Sequence, residues 1–156
     1  MASNRLWDTW MVAVGWILVV FGILLAFANQ TWLFDVVFNN QVNTVFWSSP
    51  VALESVVSFQ RFVYGVLSMT VAGWGVFFIY VARYPFRRRE RWAWTCIFAG
   101  ITLWFIPDTA ISAYFGVYVN VALNITIALL VYVPLIATRG LFTKTSAASQ
   151  DSKMST

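Results

Sequence analysis

Histidine is absent from this 156-residue chain, and cysteine occurs once, at Cys96. Without an imidazole, haem ligation by histidine and the ordinary zinc sites are excluded. A single thiol excludes an intrachain disulfide and a dithiol relay within the chain. Cys96 stands among apolar residues and reads as a small buried hydrophobe with no chemical role. These residues imply no metal site and no cofactor, and no catalytic group is identified.

Charge is also scarce. Asp, Glu, Lys and Arg make up 10% of the chain, against about a quarter in soluble domains. The hydrophobic share is 60%, the aromatic share 19% and the mean hydropathy +0.74. One domain of this length has no water-soluble core large enough for that much apolar surface, whereas bilayer lipid can cover it. The pI near 9.6 raises nucleic acid as a partner. The basic residues sit beside apolar runs, however, and membrane topology accounts for them. Nucleic acid is therefore not an expected partner; membrane lipid is.

A helix crosses the hydrocarbon with about 20 mostly apolar residues at 1.5 Å each. Four stretches qualify: Trp10 to Ala28, Phe62 to Ala82, Trp92 to Tyr114 and Val117 to Ala137. The third continues less cleanly past Pro107 and Asp108. Pro134 lies in the fourth and is tolerated where neighbours satisfy the carbonyl that it frees. The expected fold class is all-α, an integral membrane four-helix bundle over 1–142.

The few charges orient it. Arg5 precedes the first span, Arg83, Arg87, Arg88, Arg89 and Arg91 crowd the second connector, and Arg139 and Lys144 follow the fourth span. The loop 29–60 has Asp35 and Glu54 and neither Lys nor Arg up to Gln60. Cytoplasmic loops collect Lys and Arg, so both termini are expected inside, as in a bacterial cytoplasmic (inner) membrane protein. Trp7, Trp10, Tyr84, Trp92 and Trp94 then fall at the inner interface, and Trp32, Trp47, Tyr114 and Tyr118 at the outer one. A rival reading takes Ala26-Phe27-Ala28 as a signal-peptidase site, which would leave three spans.

Two segments lie outside the spans. The tail 143–156 is rich in Ser, Thr, Ala and Gln and reads as a disordered cytoplasmic segment. The loop 29–60 is too apolar for a free loop. It reads as interfacial helices or a hairpin, broken in the middle by Asn39-Asn40-Gln41-Val42-Asn43. Its roles are a membrane-surface cap or a substrate lid.

In lipid, helices meet through small residues. Gly65, Ser68, Ala72 and Gly75 share one face of the second span, and Gly15 and Gly22 share one of the first. These faces are expected to meet, with Gly65→Leu destabilising the bundle.

Polar residues at membrane depth are the candidate site. Counted from the inner boundary, Asp108, Asn120, Asn124, Tyr64 and Arg61 fall in one layer about 22 to 33 Å away. A lone Asp there is costly unless paired or hydrated. Arg61 is the outer cation, so Asp108 is expected to pair with it, with Glu54 sharing the guanidinium. Asn120 and Asn124 share a face, and Ser112 follows Asp108 by four residues. The layer serves as a structural clamp, as the lining of a ligand pocket, or as a proton relay through Asp108.

An acidic residue ahead of an Arg that opens the second span (Glu54 and Arg61), glycine soon after at Gly65, an Arg-rich inner connector and late Asp108 form a pattern. Over Leu53 to Ile136 it resembles the DoxX-like group of small bacterial four-helix membrane proteins. The resemblance implies that fold, with no firm activity. Some relatives are linked to thiol or quinone redox chemistry, and a single cysteine weighs against the thiol route. The leading expectation is a non-enzymatic accessory subunit or small-ligand binder with its polar layer near the outer leaflet. The alternatives are an enzyme or redox accessory acting on a lipid or quinone through Asp108 and Arg61, and a transporter or channel component. A protein partner, a homo-oligomer and a lipid or quinone ligand stay open.

Overall fold

A computed structural model describes residues 2–48 and 53–154, with side chains over 5–48 and 53–142. Its long helices are α1 (Ala2–Ala28), α4 (Glu54–Val81), α5 (Arg91–Tyr114) and α6 (Tyr118–Met154). Between α1 and α4 lie a single turn, α2 (Trp32–Phe34), a π-helical turn Asp35–Asn39, and α3 (Asn40–Trp47). A second π-helical turn, Ala82–Phe86, follows α4. No strand occurs among the described residues.

Four stretches are long and apolar enough to cross a membrane among the described residues: Arg5–Ala28, Glu54–Phe86, Arg91–Tyr114 and Tyr118–Phe142. The shortest has 24 residues, about 36 Å at 1.5 Å per residue. They contain the four apolar runs apart from Val117, which lies in the turn before α6. Helix α5 passes through Pro107 and Asp108 without a break. The tail 143–156, read as a disordered cytoplasmic segment, lies outside the described side chains, and the backbone of α6 runs as far as Met154.

The helices pack as two pairs, α1 on α4 and α5 on α6, and α1 also touches α6. The first pair depends on glycine. A Cβ added at Gly22 would stand 2.5 Å from the Ser68 carbonyl oxygen and 2.7 Å from the Ala72 nitrogen. One added at Gly75 would stand 2.8 Å from the Val19 nitrogen, and one at Gly15 2.5 Å from an Ile79 side-chain carbon. Backbones thus touch where side chains would otherwise hold them apart. Gly65 corrects the expected stripe, because a Cβ there meets nothing within 4 Å. It borders an open groove with Ala26, Phe27 and Met69 instead. Ser68 and Ala72 are buried in the α1–α4 contact, as expected.

A core of Met11, Val14, Ala82, Phe86, Ala93, Ile97, Val131, Leu135 and Phe142 lies at the end that carries the arginine connector. Two tryptophans brace α6 there. Pro134 has no N–H, which frees the Leu130 carbonyl four residues earlier. The Trp10 indole N–H donates to that carbonyl at 2.9 Å. The Trp94 indole donates to the Leu135 carbonyl, also at 2.9 Å.

Away from these contacts the helices present large apolar side chains outward, among them Phe27, Phe77, Leu103 and Ile136. Water does not favour such a surface, and lipid does. Cys96 is exposed on α5, not buried as the sequence suggested. Apolar neighbours in sequence do not imply burial when lipid-facing positions are apolar too.

Candidate functional site

The expected polar layer divides in two. Asp108 on α5 meets α6, where its Oδ2 accepts from Asn120 Nδ2 at 3.1 Å and Asn124 Nδ2 at 2.5 Å. Asn120 Nδ2 also donates to Ser112 Oγ at 2.8 Å, and Asn124 Nδ2 to Thr109 Oγ1 at 3.2 Å. Ser112 Oγ donates to the Asp108 carbonyl at 2.7 Å. Helix periodicity builds this arrangement. Asp108 and Ser112 are one turn apart on α5, and Asn120 and Asn124 one turn apart on α6. Gly116, with φ of 75° in the left-handed region, turns the chain between the two helices.

Asn124 is buried, and Asp108 and Asn120 are half-buried. Each amide nitrogen has two hydrogens, and both are used. Asp108 Oδ1 has no hydrogen-bond partner among the described residues. Apart from the Thr109 hydroxyl, whose oxygen accepts from Asn124, this cluster presents acceptors: a carboxylate oxygen and amide carbonyls.

The other half of the layer is elsewhere. Arg61 is exposed in the N-terminal part of α4, and Glu54 is exposed at its start. Among the described residues no ion pair joins Arg61 to Asp108 or to Glu54, which corrects the expected clamp. The cause lies in helix pairing: α4 packs on α1, whereas α5 packs on α6. Equal depth did not mean proximity. Tyr64 is half-buried with its ring edge-on to Phe38, at 5.9 Å between centroids.

The sequence reading missed two groups. The first is amide-rich and lies in the segment between α1 and α4. Asn39 Nδ2 donates to the Asn29 carbonyl and to Asp35 Oδ1, each at 2.8 Å. Gln60 Nε2 on α4 donates to Asn43 Oδ1 at 2.6 Å. Asn39 and Asn43 are one turn apart and buried, so the expected break at 39–43 is a helix turned inward. Their spacing of four was the available clue.

The second missed group is an ion pair at the opposite end. Arg89 Nη1 and Nη2 donate to Asp8 Oδ1 and Oδ2 at 2.7 and 2.9 Å. The guanidinium also lies 5.9 Å from the Phe86 ring centroid and 5.6 Å from that of Phe142. Asp8, the connector and α6 are thereby joined. Arg89 has φ of 61°, a conformation uncommon for any residue but glycine.

No family model, curated protein or solved structure matches this chain.

Proposed function

We propose that this protein is an integral membrane protein, with both termini cytoplasmic, that binds a small amphipathic ligand and is not itself an enzyme. The Asp108 cluster is its recognition site, and an accessory role beside a larger partner is compatible with it. The carrying observation is that Asp108 is held through Oδ2 while Oδ1 has no protein partner. With every amide hydrogen of Asn120 and Asn124 committed, the cluster suits a ligand that donates, such as an ammonium or hydroxyl head. An oxidised quinone offers only acceptors, which sets the quinone alternative behind this one. The arginine-rich connector and Arg5 favour the proposed orientation. A bacterial cytoplasmic membrane and kinship with the DoxX-like group belong to the same proposal.

The test compares wild type with Asp108→Asn, both purified from native membranes. The substitution retains an acceptor for Asn120 and Asn124 and removes the charge. Mass spectrometry is expected to find an amine- or hydroxyl-headed amphiphile enriched on wild type and lost from the variant. Bulk lipid alone on both proteins would sink the reading.

A further inference from the structure

A cleft of about 230 Å³ opens where α1 meets the start of the connector. Arg5 and Thr9 line it from α1, and Arg83 and Arg87 line it from the π-helical turn and just beyond. Val12 and Ala82 supply an apolar part of the wall. Asp8 also reaches this cleft, but both of its oxygens are engaged by Arg89. Its charge is therefore compensated locally. Arg5, Arg83 and Arg87 are exposed and have no acidic partner among the described residues. Three arginines without an ionic partner among the described residues thus line one small cleft.

From this geometry we infer that the cleft is a binding site for the phosphate of an anionic lipid headgroup. Guanidinium groups bind phosphate oxygens in pairs of parallel hydrogen bonds and stay charged at any working pH. The Thr9 hydroxyl adds a neutral donor. The volume is below the roughly 300–1,000 Å³ typical of drug-sized ligands and suits a headgroup. Val12 and Ala82 offer apolar contact to the glycerol end of the lipid. The site is selective within the connector, since Arg88 and Arg91 do not line it. Diffuse attraction between a basic loop and an anionic surface makes no such distinction. This inference is independent of the Asp108 cluster on α5 and α6.

The experiment uses the full chain in detergent, with phosphatidylglycerol, phosphatidylcholine and inorganic phosphate as probes. Native mass spectrometry reads bound lipid, and the thermal midpoint reads stabilisation by each probe. Arg83→Gln/Arg87→Gln is compared with Arg88→Gln/Arg91→Gln, which removes the same charge. The cleft pair is expected to weaken phosphatidylglycerol binding at least about tenfold more than the control pair. If the cleft pair does not fold, Arg5→Gln against Arg91→Gln makes the same comparison from a separate helix. Displacement of the lipid by millimolar inorganic phosphate would assign the site to free phosphate, and resistance to it would assign the site to the lipid. Equal loss in cleft and control variants, or equal retention of phosphatidylcholine, would overturn the proposal.

Discussion

Asp8 and Arg89, 81 residues apart in the chain, face each other through two parallel hydrogen bonds at 2.7 and 2.9 Å. Both side chains are largely shielded, with relative exposures of 13% and 17%. The pair fastens the start of the first span to the connector between the second and third, and Arg89 adds the Phe86 and Phe142 ring faces. Asp8→Asn leaves the guanidinium with one weaker acceptor in a poorly solvated place. A loss of about 2 kcal/mol is expected, read as a lower thermal midpoint in detergent. Asp8→Asn/Arg89→Gln should recover part of it, because no unpaired charge remains.

Gly22 and Gly65 should respond in opposite ways. Gly22→Ala places a methyl group against the backbone of Ser68 and Ala72, which cannot move without parting α1 from α4. The expected cost is about 1–3 kcal/mol, more for larger residues. Gly65→Ala enters open space, so its midpoint should match or exceed that of wild type. A large loss at Gly65 with none at Gly22 would contradict this helix pairing.

Asp108 and Arg61 should behave as independent sites. Asp108→Ala takes the acceptor from Asn120 and Asn124, with an expected loss of about 1–3 kcal/mol. Arg61→Gln alters an exposed residue without an ionic partner among the described residues and should change stability by less than about 0.5 kcal/mol. The double variant should equal the sum of the singles. Rescue in the double variant would restore the rejected clamp.

Trp10→Phe keeps an aromatic ring, though a smaller one, and removes the indole N–H given to the Leu130 carbonyl. That carbonyl has no intrahelical donor because Pro134 stands four residues later. A loss of about 1 kcal/mol is expected. In a Pro134→Ala background the backbone regains its donor, and the same Trp10 substitution should cost less. A double-mutant cycle on thermal midpoints measures the difference.

Much of the fold was legible from one-dimensional features. The apolar runs from Trp10, Phe62, Trp92 and Val117 coincide with the four long helices, because each helix must be apolar along its own length to sit in lipid. α4 begins earlier, at Glu54, where the less apolar turns before Arg61 hid its start. Half of the candidate site was legible too. The spacing of Asp108 with Ser112, and of Asn120 with Asn124, placed each pair on a shared face, and these residues do meet. Arg61, Glu54 and Tyr64 were grouped with them by depth alone. Depth measures position along a helix and says nothing of which helix stands beside it.

By itself, then, the sequence determined the number of long apolar helices, their approximate extent and the end at which the arginines gather. Those properties depend on local hydropathy and charge. Only the tertiary structure decided partners. Close approach at Gly15, Gly22 and Gly75 committed α4 to α1 and left Arg61 away from Asp108. The short turn at Gly116 committed α5 to α6 and gave Asp108 its asparagines. Asp8, an unremarkable acid before the first span, gained its role when the connector turn brought Arg89 back to it. Hydropathy along a chain records which residues tolerate lipid, whereas pairing depends on where backbones can touch, and that is a property of surfaces in three dimensions.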